Sequence, residues 1–385
     1  MKFEQMANQL NSPKTEPIKS KKKPIRKRPF SITHETYVAA NGVRNEEAWK
    51  HETYLAGKGS ENLVSFFEDE KHKNIVYKVH YLSGKSVLKA YLSRSGERYA
   101  NALLELKKSQ KDRQEKLGLL REHFGHKTVP AEQSMIREMP ISKELVKSLS
   151  KDDFTADELS RLPETTPVTV VAQRKVDMNS FEDVEEIVAF YPEAKLLEKH
   201  TDEEAADIYD EGHRVFLANK IDKDTDQKRL ALRLYPDLER IMLAMKDNPE
   251  LKMALHDWVS KAVTFTKEQK ILLDLMGNEN LVFVKKGKDW RPIMLDILIP
   301  FEINLNSLEE LAEDSMFGRD FDKKTKTSFL AGFNAVRLIN ALAALLDIDD
   351  RVEVPVFLDV QSEICAQGFI NMKSVIEKRR SREAA

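Results

Sequence analysis

The chain has 385 residues, 41% of them hydrophobic and 33% charged, with a formal net charge of −2 and a single cysteine, Cys365. One cysteine excludes intramolecular disulfides and thiolate zinc clusters and favours a cytoplasmic address. No run approaches the ~18 apolar residues of a membrane span, and the opening "MKFEQMANQL" is not a secretory signal.

The near-neutral total hides an asymmetry. Residues 1–30 hold nine Lys/Arg and two acids, a local charge of +7 that leaves −9 for the rest. Prolines recur at Pro13, Pro17, Pro24 and Pro29, so residues 1–35 are expected to form a disordered basic tail. Its "KSKKKPIRKR" segment suits an anionic partner, whether nucleic acid, a membrane face or an import receptor, and equally a solvated leader. The acidic remainder argues against one large basic nucleic-acid surface on the folded part.

Next, "NLVSFFEDEKHKNIVYKVHYL" (62–82) carries two β-rich runs around a charged turn and predicts a hairpin. A helical stretch over 84–122, interrupted near Gly96, ends at Gly125, a residue suited to a helix C-terminus. Strands are expected at 128–136 and 166–176, with a charged helical insertion or loop at 140–162. From about 180 onward the periodicity is mainly helical. "MNSFEDVEEIVAFY" opens with a capping pattern, and "NPELKMALHDWVSKAVTF" places Pro249 near a helix start. A short strand pair is expected around Gly287, and an apolar helix at 325–347. Lys326, Asn334, Arg337 and Asn340 interrupt that helix, which marks it as a core helix of a soluble lobe.

Four features can carry chemistry. Gly57 and Gly59, in "AGKGSENLV", permit a tight turn whose backbone amides can approach an anion; two such glycines also suit a plain hairpin. Lys78, in "NIVYKVHY", can neutralise phosphates or simply face solvent. In "LLDLMGNENLVFV", Asp274 can orient or deprotonate a hydroxyl, and Asn280 can offer an amide oxygen to Mg²⁺. Read alone, that loop is also a polar turn between buried elements. Asp296 follows Ile-Met-Leu, where a carboxylate needs a metal or hydrogen bonds to offset its desolvation. His123 and His126 lack a third ligand in sequence, and the three tryptophans are too scattered for a stacking platform.

In this order and spacing the segments resemble the protein-kinase-like superfamily, and its atypical bacterial, aminoglycoside-phosphotransferase-like branch more closely. "LDLMGNENLVF" and "GKDWRPIMLDILIP" are similar to a catalytic loop and a metal-binding aspartate. "GKGSENLV" and "NIVYKV" are similar to the glycine-rich loop and the lysine strand, and "TPVTVVAQRKV" to the last small-lobe strand and hinge.

The resemblance implies an α+β, two-lobed fold. A β-rich N-lobe with one long helix (36–176) would be followed by a mainly helical C-lobe (177–385). It implies ATP and Mg²⁺ as cofactors, with Gly57, Gly59 and Lys78 at the phosphates and Ala172 and Gln173 at the adenine. Asn280 and Asp296 would sit at the metal, Asp274 at the acceptor hydroxyl, and a helix glutamate, with Glu105 preferred over Glu97 and Glu115, on Lys78. The chain departs from the pattern at Leu272, where the family favours His or Tyr, and at the Ile-Leu after Asp296. Asp274 and Asn280 are also one position further apart than usual, which makes Asn278 a competing metal ligand. The expected activity is transfer of the γ-phosphate to an acceptor hydroxyl. The alternatives are a nucleotide-binding pseudokinase and an assembly or nucleic-acid-binding protein working through the tail.

Overall fold

A computed structural model gives the fold. It describes residues 54–58, 62–66, 75–141, 154–174, 192–217, 226–276, 280–286, 289–298, 303–308, 310, 323–354, 366, 368–370, 372–374, 376–377 and 381. The basic tail and the helix expected near 178–191 lie outside them.

The chain is α+β. Five strands form one antiparallel sheet: β1 (Tyr54–Lys58), β2 (Asn62–Phe66), β3 (Ile75–His80), β4 (Glu132–Pro140) and β5 (Thr165–Arg174), in the order β1-β2-β3-β5-β4. The predicted hairpin is the β2–β3 pair, with Asn62 opposite His80 and Phe66 opposite Val76. β5 is an interior strand, with Lys78 opposite Val171 on one side and Glu132 opposite Gln173 on the other. Because side chains alternate along a strand, this register puts Lys78, Gln173 and Glu132 on one face of the sheet.

Two helices separate β3 from β4: α1 (Tyr81–Leu92) and α2 (Gly96–Phe124). α1 lies close on the sheet, since a Cβ added at Gly84 would come within 2.6 Å of Val168 Cγ1. α2 begins where the Ser95 side chain accepts from the Arg98 amide and ends at Gly125, whose φ of 90° disfavours other residues. Its buried side chains are Leu106, Gln110, Leu117, Leu120 and Phe124. Leu106 packs with Val87 and Ile136 near the sheet, whereas Leu117, Leu120 and Phe124 belong to the large helical core. The expected 140–162 insertion contains a short helix, α3 (Ala156–Ser160), closed by a capping box between Thr155 and Glu158.

The remainder is α4 (Pro192–Lys199), α5 (Asp202–Leu217), α6 (Gln227–Leu234), α7 (Leu238–Asp247), α8 (Pro249–Gln269), the hairpin β6 (Leu281–Lys286) and β7 (Asp289–Met294), and α9 (Lys323–Leu345). Pro249 stands in the first turn of α8, as its missing N–H allows. α9 is long and apolar enough to cross a membrane by length and composition, but 78% of its Ser328–Leu345 window is buried in the fold. It packs against α5, α6 and α8. Arg337, in its middle, is fully buried. Its guanidinium donates to Tyr235 Oη at 2.6 Å, meets His213 Nδ1 at 2.7 Å and lies 4.3 Å from the Tyr209 ring centre. Burial first, and the Arg337 charge second, hold the His213 pKa well below its ordinary value, so the imidazole is neutral.

Candidate functional site

The segment after α8 is fixed before it reaches Asp274. Lys270 takes a left-handed conformation, φ 57°, which turns the chain off the helix axis. Ile271, Leu272, Leu273 and Leu275 are all buried. Leu273 forms an isolated bridge with Leu298, and the Asp274 amide donates to the Ile297 carbonyl at 2.7 Å. Apolar anchors therefore flank a half-buried aspartate whose Oδ1 accepts from the Met276 amide at 3.0 Å.

Leu295 joins this loop to the sheet. Its carbonyl accepts from Lys78 Nζ at 3.1 Å and from Gln173 Nε2 at 2.7 Å, and its amide donates to the Asn280 carbonyl at 2.8 Å. Asn280 Nδ2 in turn donates to the Asp274 carbonyl at 3.0 Å. The next residue, Asp296, has Oδ2 at 3.4 Å from Lys78 Nζ. Lys78 and Asp296, 218 positions apart in sequence, thus form an ion pair beside Asn280 and Asp274. The Lys78 side chain is 11% exposed and that of Asp296 35%, so solvent and ligands reach the pair from the carboxylate side.

Other expectations fare differently. Glu105 is exposed on α2 and does not meet Lys78, whose ion-pair partner is Asp296. The reason is helical phase: the inward stripe of α2 runs through Leu106 and Gln110, and Glu105 stands one residue, about 100°, off it. Glu97 and Glu115 are also exposed. Ala172 and Gln173 lie inside the β5 ladder with strands paired on both sides, so their backbone groups are not at a free edge. Gln173 reaches the site through its buried side chain instead. Gly57 lies in β1 opposite Val64, next to a register shift between Leu55 and Gly57, while Gly59 and Asn278 lie outside the described residues.

The sequence reading missed Arg113 and Glu132. Arg113 Nε donates to Glu132 Oε1 at 2.7 Å, and its Nη2 lies 3.7 Å from Asp296 Oδ1. The Glu132 side chain is only 3% exposed. Burial alone would lower the Arg113 pKa, but Glu132, and then Asp296, outweigh it and raise it above the ordinary arginine value. The signal was available: Arg113 falls between Gln110 and Leu117 on the buried 106–110–117–120–124 stripe.

No cluster of three or more His, Cys, Asp or Glu side chains suited to a metal occurs among the described residues. The candidate donors carried by the two adjoining segments are the Asp296 carboxylate and the Asn280 amide, joined through the Leu295 amide bond to the Asn280 carbonyl. Asn280 uses its amide nitrogen on the Asp274 carbonyl, which leaves the oxygen as the end suited to a cation. One carboxylate plus one amide oxygen fits Mg²⁺, which keeps several waters and shares its shell with phosphates. Such a set falls short of a complete protein-made shell. Compared with known proteins, the chain matches no family model, no curated protein and no solved structure.

Proposed function

We propose that the chain is an ATP- and Mg²⁺-dependent phosphotransferase with a two-lobed, protein-kinase-like arrangement. The observation that carries this reading is the Lys78–Asp296 pair beside Asn280 and Asp274. A lysine from the third strand of a β1-β2-β3-β5-β4 sheet meets a carboxylate from the end of a distant hairpin, and both lie next to a loop Asp-Asn pair. Phosphoryl transfer asks for these parts: a cation for the phosphates, oxygen donors for a metal, and a carboxylate at the nucleophile.

In this reading Lys78, now paired with Asp296, would turn to the nucleotide phosphates, and the Asn280 amide oxygen and the Asp296 carboxylate would hold Mg²⁺, which would neutralise phosphate charge when bound. Asp274 orients the acceptor hydroxyl or takes its proton, held in place by the Ile297 carbonyl and by its own bond to the Met276 amide. The proposal is tested by Mg²⁺-dependent consumption of ATP. Asp274→Ala and Asp296→Ala should each lower turnover at least about 100-fold with the far-UV circular dichroism unchanged. Turnover that survives both substitutions refutes it.

A second reading, nucleotide binding without transfer, is favoured by one observation: Asp274 Oδ1 is engaged by a backbone amide within its own loop. Thermal stabilisation by Mg²⁺ and ATP with no ADP formed over hours would select that reading.

A further inference from the structure

We propose that Arg113 is a positioning residue that acts as a tethered cation, competing with a divalent metal for Asp296, with Glu132 as its alternative seat. This rests on the reading of Asp296 as a metal ligand given above.

Both oxygens of Asp296 face protein cations: Oδ2 is 3.4 Å from Lys78 Nζ, and Oδ1 is 3.7 Å from Arg113 Nη2. The two contacts differ in kind. Lys78 is a flexible point charge that a polyphosphate can draw away. Arg113 is a planar fork whose Nε is already held by Glu132 at 2.7 Å, leaving Nη2 to span the remaining distance. At 3.7 Å the Asp296 contact is an ion pair longer than a hydrogen bond, so it resists a metal by charge and not by blocking the oxygen. A metal seats about 2.0–2.1 Å from a carboxylate oxygen. Its charge therefore comes within a few ångströms of the guanidinium, whose side chain is 21% exposed, so solvent screens the repulsion in part but does not remove it.

The competition is graded by Glu132, whose side chain is almost fully buried and accepts from Arg113 Nε. While Glu132 is charged it offsets the guanidinium and draws it toward β4. Without that charge, Asp296 is the carboxylate partner left to the guanidinium among the described residues. The four groups Lys78, Arg113, Glu132 and Asp296 balance to zero formal charge, so changing one member changes what Asp296 offers to a metal.

The test titrates Mn²⁺ alone into the full-length chain, reading free Mn²⁺ by electron paramagnetic resonance. Glu132→Gln should raise half-saturating Mn²⁺ about fivefold or more. Arg113→Gln/Glu132→Gln should lower it below wild type by a similar factor, and it avoids leaving a buried unpaired glutamate that could unfold Arg113→Gln. Circular dichroism checks that each variant is folded; should Glu132→Gln not fold, Glu132→Asp replaces it, which keeps the charge but withdraws it from Arg113 Nε, so half-saturating Mn²⁺ should rise by a smaller factor. An order in Mn²⁺ affinity of double variant, wild type, Glu132→Gln supports the proposal. Equal affinities, any other order, or no Mn²⁺ binding in any of the three overturns it. Binding of a non-hydrolysable ATP analogue without metal is measured separately. Its absence sinks the nucleotide reading but leaves the ranking of metal affinities standing.

Discussion

Replacing Lys78 with methionine separates a structural lysine from a phosphate-binding one. The substitution keeps most of the apolar stem and deletes the ammonium, removing the 3.1 Å bond to the Leu295 carbonyl and the 3.4 Å pair with Asp296. A charge-assisted hydrogen bond contributes roughly 1.5–3 kcal/mol, but three facts reduce the net loss. Asp296 is 35% exposed and water screens it. Arg113 still faces its other oxygen. Gln173 still donates to the Leu295 carbonyl. The expected cost is about 1 kcal/mol, or a fall in Tm of about 1–2 °C for a chain of this size. Affinity for a non-hydrolysable ATP analogue with Mg²⁺, read by calorimetry, should fall about tenfold or more, because a phosphate loses its charged partner. A fall in Tm beyond about 10 °C would make Lys78 a fold element, and unchanged affinity would remove it from the nucleotide site. Either result refutes the reasoning.

Other substitutions probe the frame around the site. Gly118 is exposed on α2 with nothing within 4 Å of an added Cβ, so Gly118→Ala should stabilise by about 0.5–1 kcal/mol in urea unfolding. Gly332→Ala on α9 should do the reverse by about 1 kcal/mol, since its Cβ would press on Ile303, Leu308 and Leu272 at 2.8, 3.0 and 3.1 Å. Arg337→Met removes the bonds to Tyr235 and His213 and the stacking on Tyr209, and should lower the denaturation free energy by about 3 kcal/mol. The depressed His213 pKa gives a pH dependence. The unfolded chain takes up that proton first, so the contribution is complete above about pH 6.5 and falls away below it, by up to ~1.4 kcal/mol per pH unit. Wild type should therefore lose more stability between pH 7.5 and 5.5 than His213→Gln, and equal losses would remove His213 from the account.

What the sequence disclosed was local. The β2–β3 hairpin, the Gly125 terminus, Pro249 at the start of α8 and the strand pair around Gly287 each carry their signal within a few residues. The gathering of Lys78, Asp274, Asn280 and Asp296 was legible only as an order along the chain, because the contacts between them depend on how a hairpin docks against a sheet. Glu105 was misread because apolar neighbours in sequence are not neighbours on a helix face. Arg113 was invisible for the complementary reason: it sits in the charged run "KKSQKDRQEK", which reads as a solvated surface until its phase relative to Leu106 and Leu117 is counted. That Ala172 and Gln173 are paired on both sides was not legible, because a strand's identity says nothing about how far its neighbours extend beside it.

The length of α2 gives it leverage over the site. Its 29 residues span ~44 Å, and its far end is held in the helical core by Leu117, Leu120 and Phe124. Arg113 lies ~16 Å along the axis from Phe124, so a tilt of about 5° around that end carries the guanidinium ~1.4 Å. That displacement is comparable to the gap between the 2.7 Å contact with Glu132 and the 3.7 Å approach to Asp296. A repacking of the helical core under Phe124 that tilted α2 against its Leu106 and Gln110 contacts with the sheet would therefore change the charge felt at Asp296 without touching it.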